Sequence, residues 1–249
     1  MRNVWTVAKR EFNMYFASPV AYAVAFGLLI ILGLFFYADF GQSVVFGQPP
    51  DATRSIQLFV TLLLFFTPAI TMRLLAEEHR TGTIELLLTA PVREWELVTG
   101  KWLAAYGFVS VIVLITTVYA FILNRFMTPG LDLGTLAAAY VGLFLIVGGM
   151  LAVGVFVSSL FSNQIAAFFG IMALLLLLWV ISYPVQSDTG AVAEFIKHLD
   201  FSNHFYNNFV RGVVDLSDVV YFVTVIVLFL FLAARVVESR RWRWPCRRR

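Results

Sequence analysis

The residues able to do chemistry are few, and most of them sit in one stretch. Residues 76–100 read AEEHRTGTIELLLTAPVREWELVTG and hold Glu77, Glu78, His79, Arg80, Glu85, Arg93, Glu94 and Glu96. Carboxylates beside a histidine can move protons or hold a metal ion, yet the surrounding pattern supports neither. The chain has no HExxH zinc helix, no GxSxG nucleophile turn and no GxxxxGK[ST] phosphate loop, so it carries no familiar hydrolase or ATP site. All three histidines fall between the long apolar runs. His198 and His204 lie six residues apart with Asp200 between them, a spacing that does not suit an i, i+4 pair of metal ligands. Cys246 is the single cysteine, which leaves no intrachain disulfide and no multi-cysteine metal site. The chemistry left to the charged stretch is ionic contact with a partner. The expectation is a non-catalytic subunit with no metal or cofactor of its own.

The elements that must position this stretch are membrane spans. Of the 249 residues 60% are hydrophobic and 13% charged, and the mean hydropathy is +0.84, far from a soluble domain. Apolar runs long enough to cross a bilayer cover residues 20–37, 56–75, 102–123, 136–160, 165–183 and 219–237. Together they define an all-α polytopic membrane protein of six transmembrane helices, read as one domain over 1–249. Pro68 lies in the second run, and Gly148, Gly149 and Gly154 lie in the fourth, where a kink and a close helix contact are the simple readings.

Six spans put both termini on one side. On that side fall 14 of the 18 Lys and Arg residues, leaving only Arg54, Arg125, Lys197 and Arg211 opposite. Such an imbalance points to a cytoplasmic N- and C-terminus. Residues 1–18 mix Arg2, Lys9, Arg10 and Glu11 with Val4, Trp5, Phe12 and Phe16, an amphipathic interfacial helix rather than a cleavable signal. The basic tail 238–249 places Trp242 and Trp244 among arginines, as a membrane-surface anchor does, and needs no nucleic acid to explain it.

Within residues 76–100 a local helix can be read. Gly82 breaks the preceding helix, Thr83 can cap a new one, and Glu85 sits in its first turn, where a carboxylate complements the helix dipole. Ile84, Leu87 and Leu88 share a face, and Pro91 ends the helix. Such a helix either lies in lipid head groups or acts as a lever held by spans two and three. On the other side, residues 184–218 carry Phe195, Phe201, Phe205, Tyr206 and Phe209, an aromatic density that reads as short helices lying on or dipping into the outer leaflet.

Four stretches carry a resemblance to a known family: KREFNMYFASPVAY at 9–22, EEHRTGTIELLLTAPV at 77–92, the small-residue-rich fourth span through Gly148 to Ser159 with the turn to Gln164, and DFSNHFYNNFVRGVVDLSDVVYF at 200–222. Together they resemble the ABC type-2 (ABC-2) transporter permeases, in particular the group that includes gliding-motility-associated bacterial permeases. The resemblance implies a permease subunit in a bacterial inner membrane that pairs with a second permease, identical or different, and with cytoplasmic ABC ATPase subunits holding the ATP and Mg. Membrane lipid and a periplasmic or extracellular accessory protein would complete the set of partners.

By the same resemblance, 77–92 contains the family's coupling helix. Glu78, Arg80, Gly82, Thr83, Glu85, Leu87 and Pro91 would then touch the ATPase, supported by Lys9, Arg10 and Glu11, while Phe205, Phe209, Arg211, Gly212 and Asp215 would mark the external loop. Two other classes fit the same sequence: a scaffold anchoring a cytoplasmic partner, and an ion-coupled secondary carrier. The span interiors lack ionisable groups, which disfavours the carrier and favours a lipid-like or amphipathic cargo.

Overall fold

The structure, a computed structural model, describes residues 2–47, 52–81, 93–126, 132–185, 187 and 190–242. Among these residues it is helical throughout, without strands. The first helix, α1 (Arg2–Ala17), turns Val4, Val7, Ala8, Glu11, Phe12 and Tyr15 toward the protein and Lys9 and Arg10 toward solvent, a 3.6-residue periodicity. Ser18 then adopts extended backbone angles, φ −92° and ψ 121°, and Pro19 opens α2 (Pro19–Phe46). A proline supplies no N–H, so it ends the preceding helix and starts the next without losing a bond.

The chain continues through α3 (Ala52–Thr71), the short α4 (Ala76–Thr81), α5 (Glu94–Phe126), α6 (Leu133–Leu160) and α7 (Gln164–Val180). After a 3-10 turn at Tyr183–Val185 come α8 (Ala191–His198), α9 (Phe201–Asn207), a second 3-10 turn at Phe209–Arg211, and α10 (Leu216–Trp242). Six of these helices, α2, α3, α5, α6, α7 and α10, are long and apolar enough to cross a membrane. The second span differs from the sequence reading of 56–75: regular helix ends at Thr71, and residues 72–75 form a turn. Pro68 lies inside this helix and supplies no N–H to the carbonyl one turn upstream.

The sixth helix, α6, is the axis of the bundle, with α3, α5, α7 and α10 packed around it. It is the most enclosed span, while α2, α7 and α10 keep mostly exposed faces, as lipid-facing helices do. Its glycines make the approach possible. A Cβ on Gly154 would collide with Thr71 of α3, and one on Gly148 would lie 2.9 Å from Ile226 of α10. Helix α1 lies along α5 by the same device, with Val7 against Gly100 and Phe12 against Gly107, seven residues or two turns apart.

The aromatic segment 184–218 departs from expectation. Phe201, Phe205 and Phe209 are buried within the protein instead of dipping into lipid, and of the expected aromatics Phe195 remains exposed. The cause is again α6: the Phe209 ring fills the space left by the absent Cβ of Gly142, and Phe201 lies 3.7 Å from where a Gly149 Cβ would be. The turn that returns the chain to α10 uses Gly212 at φ +84°, where a side chain would be strained and would also meet Thr135.

Candidate functional site

Three helices meet at the bundle end that carries the N-terminus, and one buried cation joins them. Lys101, two turns into α5, has only 2% of its side chain exposed. Its Nζ lies 2.7 Å from Glu78 Oε1 of α4 and 3.2 Å from Glu11 Oε1 of α1. Arg10 Nη2 adds a 2.8 Å bond to the same Glu11 oxygen from the solvent side. A buried ammonium between two carboxylates is tolerable because each charge has an opposite within contact. Removing any partner leaves a desolvated charge behind. Tyr15, one turn beyond Glu11, donates to the Ile70 carbonyl at 3.2 Å, and burial followed by the Glu11 charge holds its hydroxyl well above the usual tyrosine range.

Two further contacts fix the same elements. Glu96, in the first turn of α5, accepts from the Arg93 backbone N–H at 3.0 Å, half of a capping box, and from Asn3 Nδ2 of α1 at 3.2 Å. Ser158, fully buried on α6, receives the backbone N–H groups of Leu75 and Ala76 at 3.2 Å each and donates to Met72 O at 3.3 Å. These amides belong to the break between α3 and α4 and have no helical acceptor of their own. A side chain from another helix supplies one. Helix α4 is thus pinned at its start to α6 and, through Glu78, to Lys101 of α5, the same cation that Glu11 of α1 reaches.

Of the sequence-derived contact residues, the structure places Glu11 and Glu78 on either side of Lys101 and leaves Lys9, Arg10 and Arg80 exposed on the same end. Gly82, Thr83, Glu85, Leu87 and Pro91 lie outside the described residues, as does the helix read for 83–91. Lys101 and Ser158 were missed as site residues. Lys101 had counted only as one of the inner-side charges, although a cation at the head of an apolar run demands a partner; Ser158 had counted only as a small residue in the fourth span.

The other end of the bundle is a separate structure. Tyr206 of α9 donates to Gln57 O at 3.3 Å near the start of α3, while Tyr15 bonds Ile70 near its finish, about 20 Å along the helix axis. There His204 Nδ1 lies 2.6 Å from Asp218 Oδ1 and its Nε2 lies 3.0 Å from the His198 carbonyl. Asn208 Nδ2 holds the other Asp218 oxygen at 2.7 Å, and the Tyr221 ring stacks on His204 at 3.9 Å. Asp200 accepts from Ser182 and caps α9 through Ser202 N. His198 and His204 therefore serve a structural cap tying α8 and α9 to α10. Phe205 and Phe209 fill its core, Gly212 makes its turn, and Arg211 and Asp215 are exposed, with Asp215 accepting from Ser217 N at 3.0 Å.

A bundle with six helices long and apolar enough to cross a membrane, a buried ionic joint at one end and a packed cap at the other has the architecture of a polytopic membrane protein. The chain belongs to the ABC-2 family transporter proteins, whose family model matches residues 5–240. It is accordingly a transmembrane permease of the ABC type, and membership implies an ABC ATPase subunit as partner. No curated protein matches the chain.

Proposed function

We propose that this chain is a non-catalytic permease subunit lying in a bacterial inner membrane with both termini in the cytoplasm, and that a separate ATPase, holding ATP and Mg, drives it by pushing on residues 76–100. It pairs with a second permease, and an accessory protein meets the far-side cap. The likeness to the gliding-motility-associated permeases rests on the four stretches quoted above, with 77–92 and 200–222 the most distinctive.

The observation that carries this reading is the Lys101 joint. Force applied to one short helix moves spans only if that helix is rigidly attached to them. Helix α4 meets the requirement through Glu78–Lys101–Glu11 and through Ser158, so displacement of the segment that follows it would be transmitted to α5, α1 and α6 together. The largely apolar span surfaces favour a lipid-like or amphipathic cargo.

The test is co-reconstitution of the chain with its ATPase in liposomes. ATP hydrolysis stimulated by lipid and lost in Gly82→Pro or Glu85→Ala, with membrane insertion intact, supports the proposal. A chain that binds the ATPase while those variants leave hydrolysis unchanged is a scaffold, and stimulation by hydrophilic solutes alone overturns the cargo class.

A further inference from the structure

Toward the end of the bundle remote from the N-terminus, four spans enclose a small cavity of about 10 Å³. Ser55 of α3, Thr116 and Tyr119 of α5 and Tyr140 of α6 bring four hydroxyl-bearing side chains to its wall, and Leu32 closes it from α2. Arg54, next to Ser55, holds Asp39 Oδ1 of α2 at 2.8 Å with much of its side chain exposed, so the cavity lies just inside an ion pair that faces solvent. Among the described residues none that lines it is charged.

The hydroxyls around it are poorly served by the protein itself. Thr116 gives its proton to Val113 O at 2.7 Å, so the Tyr140 hydroxyl is the donor in their contact, which is 3.4 Å long. Tyr119 reaches Leu29 O only at 3.4 Å. Both distances are far beyond the 2.7–2.8 Å or so of a good O–H···O bond. Ser55 Oγ has no hydrogen-bond partner among the described residues. Hydroxyls kept from bulk solvent between spans are costly unless they are paired. The wall therefore offers free lone pairs on two tyrosines and both a donor and an acceptor on Ser55. A cavity of about 10–15 Å³ with two to four polar partners is what a single water molecule needs. A cation would meet no carboxylate here, and an apolar occupant would leave the hydroxyls unserved.

We propose that this cavity binds one ordered water molecule, which donates to the Tyr119 and Tyr140 oxygens and accepts from the Ser55 hydroxyl. Three bonds is about the usual number for a buried water. The water joins α3 to α5 and α6 across a junction whose wall from α2 is the apolar Leu32. Any movement that parts α3 from α5 at this end must break those bonds or carry the water with one of the helices.

The test is X-ray radiolysis of the full chain in lipid nanodiscs, in which a bound water is split in place and oxidises the side chains it touches, read by peptide mass spectrometry. Ile56 and Leu123 share the cavity wall and are only 4% and 2% exposed, so radicals formed in bulk solvent do not reach them. Both are expected to be oxidised in the wild type, while Ile146, fully buried on α6 and not part of the wall, stays silent. Ser55→Ala with Tyr140→Phe should cut that oxidation about tenfold, as expected for loss of hydrogen bonds to the water. Ser55→Ala alone removes a hydroxyl that no protein group binds, so it spares the fold and decides the matter if the double variant is not monodisperse. Silence at Ile56 and Leu123 in the wild type, or oxidation unchanged in a monodisperse variant, would overturn the site. No ATPase enters the assay, so its failure leaves the coupling proposal standing.

Discussion

Lys101 Nζ and Glu78 Oε1 stand 2.7 Å apart, an ion pair that joins a short helix of six residues to the head of a span of 33. Because Glu11 accepts from the same ammonium, the pair is the centre of a three-helix joint. Replacing Lys101 by Met leaves the Glu78 carboxylate without its cation and Glu11 with Arg10 alone. The expected loss is about 3–5 kcal/mol of stability, whereas a triple variant that also carries Glu11→Gln and Glu78→Gln should regain most of it. Thermal unfolding in detergent, followed for the single and triple variants side by side, checks the difference.

Ser158 satisfies two backbone donors that no helix serves. Ser158→Ala leaves both buried, at a cost of about 1–3 kcal/mol for an unmet group, and Ser158→Thr retains the hydroxyl. Hydrogen exchange read at Leu75 and Ala76 should accelerate in the alanine variant and stay close to wild type in the threonine variant.

The α3–α6 contact at Gly154 has no room for a methyl group, because Thr71 occupies it. Gly154→Ala should destabilise by about 1–3 kcal/mol through overpacking. Thr71→Ala removes the hydroxyl and methyl that a new Cβ would strike, so the double variant should cost less than the sum of the two single changes, a coupling measurable as a double-mutant cycle.

His204 and Asp218 form the buried pair at the far end, with 9% and 3% of their side chains exposed. His204→Leu leaves the Asp218 carboxylate with Asn208 alone, and a loss of about 3–5 kcal/mol is expected for the orphaned charge. His204→Leu combined with Asp218→Asn should recover part of it. If the cap is separate from the joint, neither variant should alter lipid-stimulated ATP hydrolysis per folded molecule.

Asp132 caps α6 by accepting from the Thr135 hydroxyl at 2.7 Å and from Gly134 N at 2.9 Å, and these bonds hold its carboxyl below the usual range. A depressed carboxyl stabilises the fold above its unfolded-state pKa, and that contribution disappears as pH falls through the folded-state value. Protection of the Gly134 and Thr135 amides, corrected for intrinsic exchange, should therefore weaken on acidification, and in Asp132→Ala it should be weak at every pH.

The six spans were legible because a bilayer imposes a length and a composition that a single chain records in runs such as 102–123 and 136–160. The charged stretch 76–100 stands apart from the apolar runs in the sequence, and Glu11 and Glu78 of the proposed contact set both pair with Lys101. What the residue pattern could not display was pairing across the chain. Glu11 and Lys101 are ninety positions apart, and no local periodicity links them. The burial of Phe201, Phe205 and Phe209 was misread for a related reason: aromatic density is the same for a lipid-facing loop and for a cap, and the cavities at Gly142 and Gly149 that decide between them lie on α6.

The account rests on residues 76–100 facing the compartment that holds the ATPase. In a Cys246→Ser background, Glu85→Cys in intact spheroplasts should resist a membrane-impermeant maleimide and become labelled only after permeabilisation. Labelling of the intact spheroplasts would place that segment on the wrong side and contradict the proposed coupling.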